Sequence, residues 1–182
     1  FPALLALLWL ASILLVNPIG EFPLNDDWAF ARGVYNLVEK QQLILGDWPA
    51  ITLVAQLFWG ALFCKIFGLS LTVLRISTLV SSFLGVIAFY GIARQITKNK
   101  EVAALAGLVL FFNPLYFSLS FTFMNNVHFL CACLLSFWYF SKNIERPNLR
   151  FWILGTVLGI VTTLIRQSGL VIPFVFMLLG WI

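Results

Sequence analysis

Uncharged apolar runs recur along nearly the whole chain, separated by short polar stretches, and they predict membrane spans at about 1–17, 73–93, 102–117, 127–141, 151–166 and 169–182. A hydrocarbon core about 30 Å thick takes roughly 20 apolar helical residues to cross. One long polar stretch, about 20–72, interrupts the series. Inside it Asn25 is a good helix N-cap, and Phe30, Val34, Leu37 and Val38 recur at one-turn spacing while Arg32, Asn36, Glu39 and Lys40 fall largely elsewhere. This predicts an amphipathic surface helix over 26–41. The apolar run 51–67 is long enough for a short span but also suits an interfacial or re-entrant segment.

Composition strengthens the membrane reading: 62% of residues are hydrophobic and 10% charged, against roughly 45–50% and 25% in soluble domains. The fold class expected is therefore all-α transmembrane, a multi-pass helical bundle. The net charge of +4 does not point to nucleic acid, because the basic residues gather in two short loops, Arg94, Lys98 and Lys100 in one and Lys142, Arg146 and Arg150 in the other. Two crossings separate these loops, so they share a side, and the positive-inside rule makes it the cytoplasm. If 51–67 does not cross, the acidic 20–72 loop lies outside, opposite both. Phe1 and Ile182 both fall within apolar runs, so the chain reads as the amino-terminal transmembrane part of a longer protein. The opening run lacks the basic start and cleavage site of a signal peptide. Cys64, Cys131 and Cys133 lie in apolar segments without metal-ligand spacing and read as small buried side chains.

With this topology, polar groups distant in sequence converge on the outer surface: Asp26, Asp27 and Asp47 from the loop, Arg75 at one helix start, Asn125, Asn126 and His128 at another, and Arg166 with Gln167. Ionisable groups at membrane depth are costly and tend to mark a site. Adjacent carboxylates can supply one general base toward a hydroxyl and a second group for orientation or a cation, although first-turn acids are also favoured simply by the helix dipole. Arg166 either marks a tight outer turn or grips a lipid phosphate, since guanidinium matches phosphate oxygens with paired hydrogen bonds. Arg75 reads as an interfacial anchor or a partner for a loop carboxylate, and Lys65 as a snorkelling side chain. His128, one turn into a span, is either satisfied by a backbone carbonyl or a ligand. No Gly-rich phosphate loop, clustered metal-ligand set or Ser/His/Asp arrangement occurs in the sequence.

Asn25-Asp26-Asp27-Trp28-Ala29-Phe30-Ala31 opening the loop, Gly46-Asp47-Trp48-Pro49, an apolar segment ending in Phe67-Gly68, Leu74-Arg75-Ile76-Ser77, Asn113-Pro114-Leu115 and Phe121-Thr122-Phe123-Met124 follow one another in the order seen in the GT-C membrane glycosyltransferases. The chain resembles the protein O-mannosyltransferase and lipid A aminoarabinose transferase group of that class. The resemblance implies a GT-C bundle with an outer first loop carrying interfacial helices. It further implies a glycosyltransferase that moves a sugar from a polyprenyl-phosphate donor to an acceptor hydroxyl on a lipid, glycan or protein outside the membrane, and a bacterial inner-membrane location. It assigns Asp26 as the base and Asp27 as its support. Asp47, Arg75, Asn126, His128 and Arg166 are then expected to hold substrate, no cofactor is required, and a divalent cation is admitted. The chain departs from the group at Asn125-Asn126-Val127-His128, where relatives often carry Thr-Asp-Val-Pro. Two other classes remain open from the residues: a transporter or flippase, which would place ionisable groups at the bilayer midplane or show repeat symmetry, and a non-catalytic membrane scaffold.

Overall fold

The computed structural model describes residues 2–44 and 53–179, and among them it is helical throughout, with no strand. The helices are α1 (Pro2–Val16), α2 (Asp27–Glu39), α3 (Val54–Phe67), α4 (Leu71–Thr97), α5 (Lys100–Phe111), α6 (Pro114–Ser120), α7 (Asn125–Glu145), α8 (Leu149–Ile165) and α9 (Val171–Leu179), the last entered through a 3-10 turn, Gln167–Leu170. Asp47 lies outside the described residues.

Apolar side chains cover the outside of the bundle as well as its core, and small hydroxylated residues share the interior. Large apolar side chains such as Leu14, Leu15, Val109 and Leu115 face outward, 65% or more exposed, while Ser77, Thr78, Ser82, Ser120, Ser136 and Thr162 are buried. Small hydroxylated residues let helices approach and bond between them. Tyr116 donates its hydroxyl to the Ser82 carbonyl at 2.7 Å, and Ser120 donates to the Ser82 hydroxyl at 2.8 Å, fixing α6 against α4. Ser136 donates to the Gly155 carbonyl at 2.8 Å and ties α7 to α8. Only α4 among the described helices is long and apolar enough to cross a membrane alone; α5 and α6 meet that criterion as a pair, bent by 64°.

The segment expected to span at about 102–117 is thus a broken helix. Pro114 has no amide to continue the ladder, and Asn113 turns its side chain to accept from the amides of Leu115 and Tyr116, starting a new helix. The start of α2 differs as well. Asn25 adopts a left-handed backbone with φ 58°, and Asp26 takes the N-cap position without a side-chain cap bond.

One core cluster joins Phe30, Ala31 and Val34 of α2 to Leu57 and Ala61 of α3, Leu74 of α4 and Phe123. A second gathers Leu5, Val86, Phe111, Tyr116 and Val127. Gly60 sits at the centre of the first: a Cβ there would lie 2.7 Å from the Phe123 ring and 2.9 Å from Leu74. Both ends of α3 meet the same end of the bundle. The Leu53 amide donates to Ile165 at the close of α8, and Gly68 leads at once into the start of α4. α4 then runs from this end to the other, where Arg94 lies about 28 Å from Arg75 along the helix axis at 1.5 Å per residue.

Candidate functional site

The loop after α1 is fastened to α4 by two charges. Glu21 accepts from the Leu71 amide at 2.9 Å and from the hydroxyls of Ser70 and Thr72 at the N-terminus of α4, where the helix dipole favours an anion. Burial works to raise its pKa, but these donors outweigh it and hold the carboxyl below the usual range. Arg75, 1% exposed, donates to the carbonyls of Pro18 and Gly20 at 3.1 Å each and to that of Phe22, and its guanidinium lies 5.0 Å from the Phe22 ring centroid. Three loop carbonyls engage Arg75, in keeping with its reading as an anchor of the loop.

The adjacent acids divide. Asp27 shares a helix face with Phe30, Ala31 and Val34 and is fully buried with them. Its Oδ1 accepts the Leu24 amide at 2.8 Å, and Oδ2 has no hydrogen-bond partner in the protein. Burial pushes this carboxyl above the usual range, against the opposing influence of the Leu24 amide, the nearby Arg75 charge and the Phe123 amide. Asp26, one position earlier at the N-cap, is half-buried and makes no side-chain cap bond.

Phe123 connects this acid to a second polar group. Its carbonyl accepts from Gln56 Nε2 at 3.1 Å, and its ring meets the His128 ring edge-on with centroids 5.5 Å apart. His128 Nδ1 lies 3.2 Å from the Met124 carbonyl, the backbone partner foreseen for it, which leaves Nε2 without a partner. Arg166 completes the cluster: its Nη2 donates to Asn125 Oδ1 at 2.7 Å and Asn126 Oδ1 at 2.8 Å, with the guanidinium 5.4 Å from the Phe129 ring centroid.

Below these groups, α3, α4, α7 and α8 enclose a groove of about 550 Å³. Trp59, Leu62, Leu84, Leu135, Leu158 and Val161 give it an apolar wall, and Gln56 and His128 are polar members of its lining. Gln56 and His128, which line this cavity of ligand size, each keep one buried atom, Oε1 and Nε2, without a hydrogen-bond partner. Gln56 was missed by sequence reasoning. The available signal was a fully buried amide inside the otherwise apolar run 51–67, where an uncompensated polar group is costly.

Asp26, Asp27, Asn126, His128 and Arg166 therefore all belong to one end of the bundle. Among the described residues no group of three His, Cys, Asp or Glu side chains could hold a metal ion. The two carboxamides at the start of α7 also fit a cation poorly, since both oxygens already accept from the charged Arg166.

A family model described as dolichyl-phosphate-mannose-protein mannosyltransferase matches residues 52–181, well over half the chain. No curated protein and no solved structure gives a significant match.

Proposed function

The chain belongs to the dolichyl-phosphate-mannose-protein mannosyltransferase family of GT-C membrane glycosyltransferases, and from that premise we propose that it transfers a sugar from a polyprenyl-phosphate donor to an acceptor hydroxyl at the membrane's outer face. The observation that carries this reading is the apolar groove whose lining includes the buried Gln56 and His128 and ends at Ile165, the residue before Arg166. A polyprenyl chain is apolar along its length and ends in a phosphate, and the groove followed by Arg166 has the same order. Arg166 uses only Nη2 on Asn125 and Asn126, so another edge of its planar fork remains to meet phosphate oxygens.

In this reading α1, α4, the bent α5–α6 pair, α7, α8 and α9 cross the bilayer, and α2 and α3 lie in the outer interface. The meeting of both α3 ends with one end of the bundle supports that assignment, as does the outward-facing apolar surface. The roughly 28 Å of α4 between Arg75 and Arg94 is close to the thickness of a hydrocarbon core. The basic loops then face the cytoplasm of a bacterial inner membrane.

Asp26 is the base. Its position is half-open, whereas Asp27 is sealed against Leu24 and Phe123 and serves to hold the helix start in place. The acceptor oxygen attacks the anomeric carbon, its proton passes to the Asp26 carboxylate, and the bond to the phosphate oxygen breaks with its electron pair staying on the phosphate. The charge that develops there lies toward Arg166 and His128. One displacement inverts the anomeric centre. Asp47, next in the loop, is assigned to the acceptor side.

The test is transfer of labelled sugar from polyprenyl-phosphate donors by the full-length membrane protein and by Asp26→Asn at equal expression. General-base catalysis contributes about 10²–10⁴-fold, so the variant should fall by that order. Unchanged transfer would remove Asp26 as base. Absence of transfer by a folded wild type with every donor tried would favour a transporter or a scaffold.

A further inference from the structure

A second cavity of about 550 Å³ opens at the opposite end of the bundle, between the last turns of α4 and α7 and the first turns of α1 and α8. Arg94, Lys98, Lys142 and Arg146 line it, and Glu145 is the only acid among its lining residues. Glu145 pairs with Lys98 at 2.7 Å, so three cations remain in excess around one opening. Basic residues scattered to orient helices would not need to converge in this way. Lys100 and Arg150 belong to the same two loops and do not line the cavity.

Further along the same helices, toward the middle of the bundle, the lining is apolar and aromatic. Trp138 is set deep against α4, because Gly91 offers no Cβ; one placed there would lie 2.3 Å from the indole. Lys142 Nζ stands 3.6 Å above that ring, and Ile87 and Phe151 continue the apolar lining. The cleft therefore grades from hydrocarbon-like walls to a cationic rim. We propose that it binds an anionic phospholipid of the leaflet opposite the candidate catalytic site, the phosphate held by Arg94, Lys142 and Arg146 and an acyl chain running past Trp138 toward Ile87. A soluble phosphate would use the rim but gain nothing from the apolar wall, which is the ground for choosing a lipid. Basic side chains near a membrane surface each strengthen anionic-lipid binding by a modest amount that sums over the cluster. The inference rests on the membrane placement proposed above and not on sugar transfer.

Native mass spectrometry of the full-length protein, purified in detergent and supplied with phosphatidylglycerol or phosphatidylcholine, gives the test. The wild type should retain phosphatidylglycerol preferentially, and the Lys142→Gln/Arg146→Gln double variant should bind it roughly tenfold more weakly. Lys100→Gln/Arg150→Gln, with the same change in net charge, should bind like the wild type. A thermal midpoint for both variants in phosphatidylcholine equal to that of the wild type shows that the fold is intact. Equal weakening in the two variants, no preference in the wild type, or displacement of the lipid by millimolar inorganic phosphate would each overturn the proposal.

Discussion

The two ends of the bundle both collect polar groups, but they handle them differently. At the end that holds the candidate site Asp27, Gln56, Arg75, Asn125 and His128 are almost completely buried, and each spends part of its bonding capacity on backbone or a neighbouring side chain. At the basic end Arg94, Lys98 and Arg146 stay exposed around an open cleft, and Lys98 forms a single ion pair. Burying charge is costly unless it is paired. The end with the candidate site accepts that cost and so fixes its polar groups; the basic end avoids it and keeps its charges exposed. Fixed dipoles suit bond-making, whereas an exposed cationic rim suits retention of an anion.

The sharpest way to break this contrast is Arg166→Lys. The charge survives, but the planar guanidinium is lost, with both the Nη2 that bonds Asn125 and Asn126 and the edge proposed to meet phosphate. If the candidate site works through preorganised geometry, sugar transfer should drop about ten- to a hundredfold, corresponding to about 1.5–3 kcal/mol for a charged hydrogen bond. The equivalent Lys142→Arg at the basic end should leave transfer unchanged. Gly60→Ala tests the packing that carries Phe123: the added methyl must displace that ring or Leu74, and overpacking of this kind costs about 1–3 kcal/mol. A lower thermal midpoint together with reduced transfer is expected, while a neutral result would mean the Phe123 peptide is not held as described. The smallest effect concerns Glu21. Its folded-state pKa is below the unfolded value near 4.3, so its anchoring of the loop is present above that pH and is lost as the pH falls through the folded value. Proteolysis of the loop measured from pH 6 to pH 3 should accelerate at the acid end in the wild type. Glu21→Gln should be cut faster at neutral pH and respond little to acid.

How much of this was legible in the sequence varied with the kind of signal. The face of α2 was written in the spacing of Phe30 and Val34, and extending the same spacing back to Asp27 would have placed that acid inside, because positions 27, 30, 31 and 34 lie on one stripe. Adjacent carboxylates read as a pair conceal that they point about 100° apart on a helix. The clustering of Arg166 with Asn126 followed from topology alone, but the bonds between them depend on side-chain reach that no spacing encodes. Arg75 was legible as an anchor; its partners are loop carbonyls, which carry no side-chain signature. The Phe123 peptide was hidden for the same reason, whereas Gln56 stood out as a polar position inside the apolar run 51–67 and went unread. Asn113-Pro114 did carry a helix-break signal, and hydropathy alone masked it.

The central claim is that the donor lipid lies in the α3–α4–α7–α8 groove beneath Arg166. Photo-crosslinking of the full-length protein with a diazirine-bearing polyprenyl phosphate addresses it most directly. Label should fall on peptides from α3, α7 and α8 and should weaken in Leu135→Trp, whose larger ring fills the groove. Label concentrated instead around Ile87 and Phe151 of the basic cleft, or left unchanged by Leu135→Trp, would contradict the account.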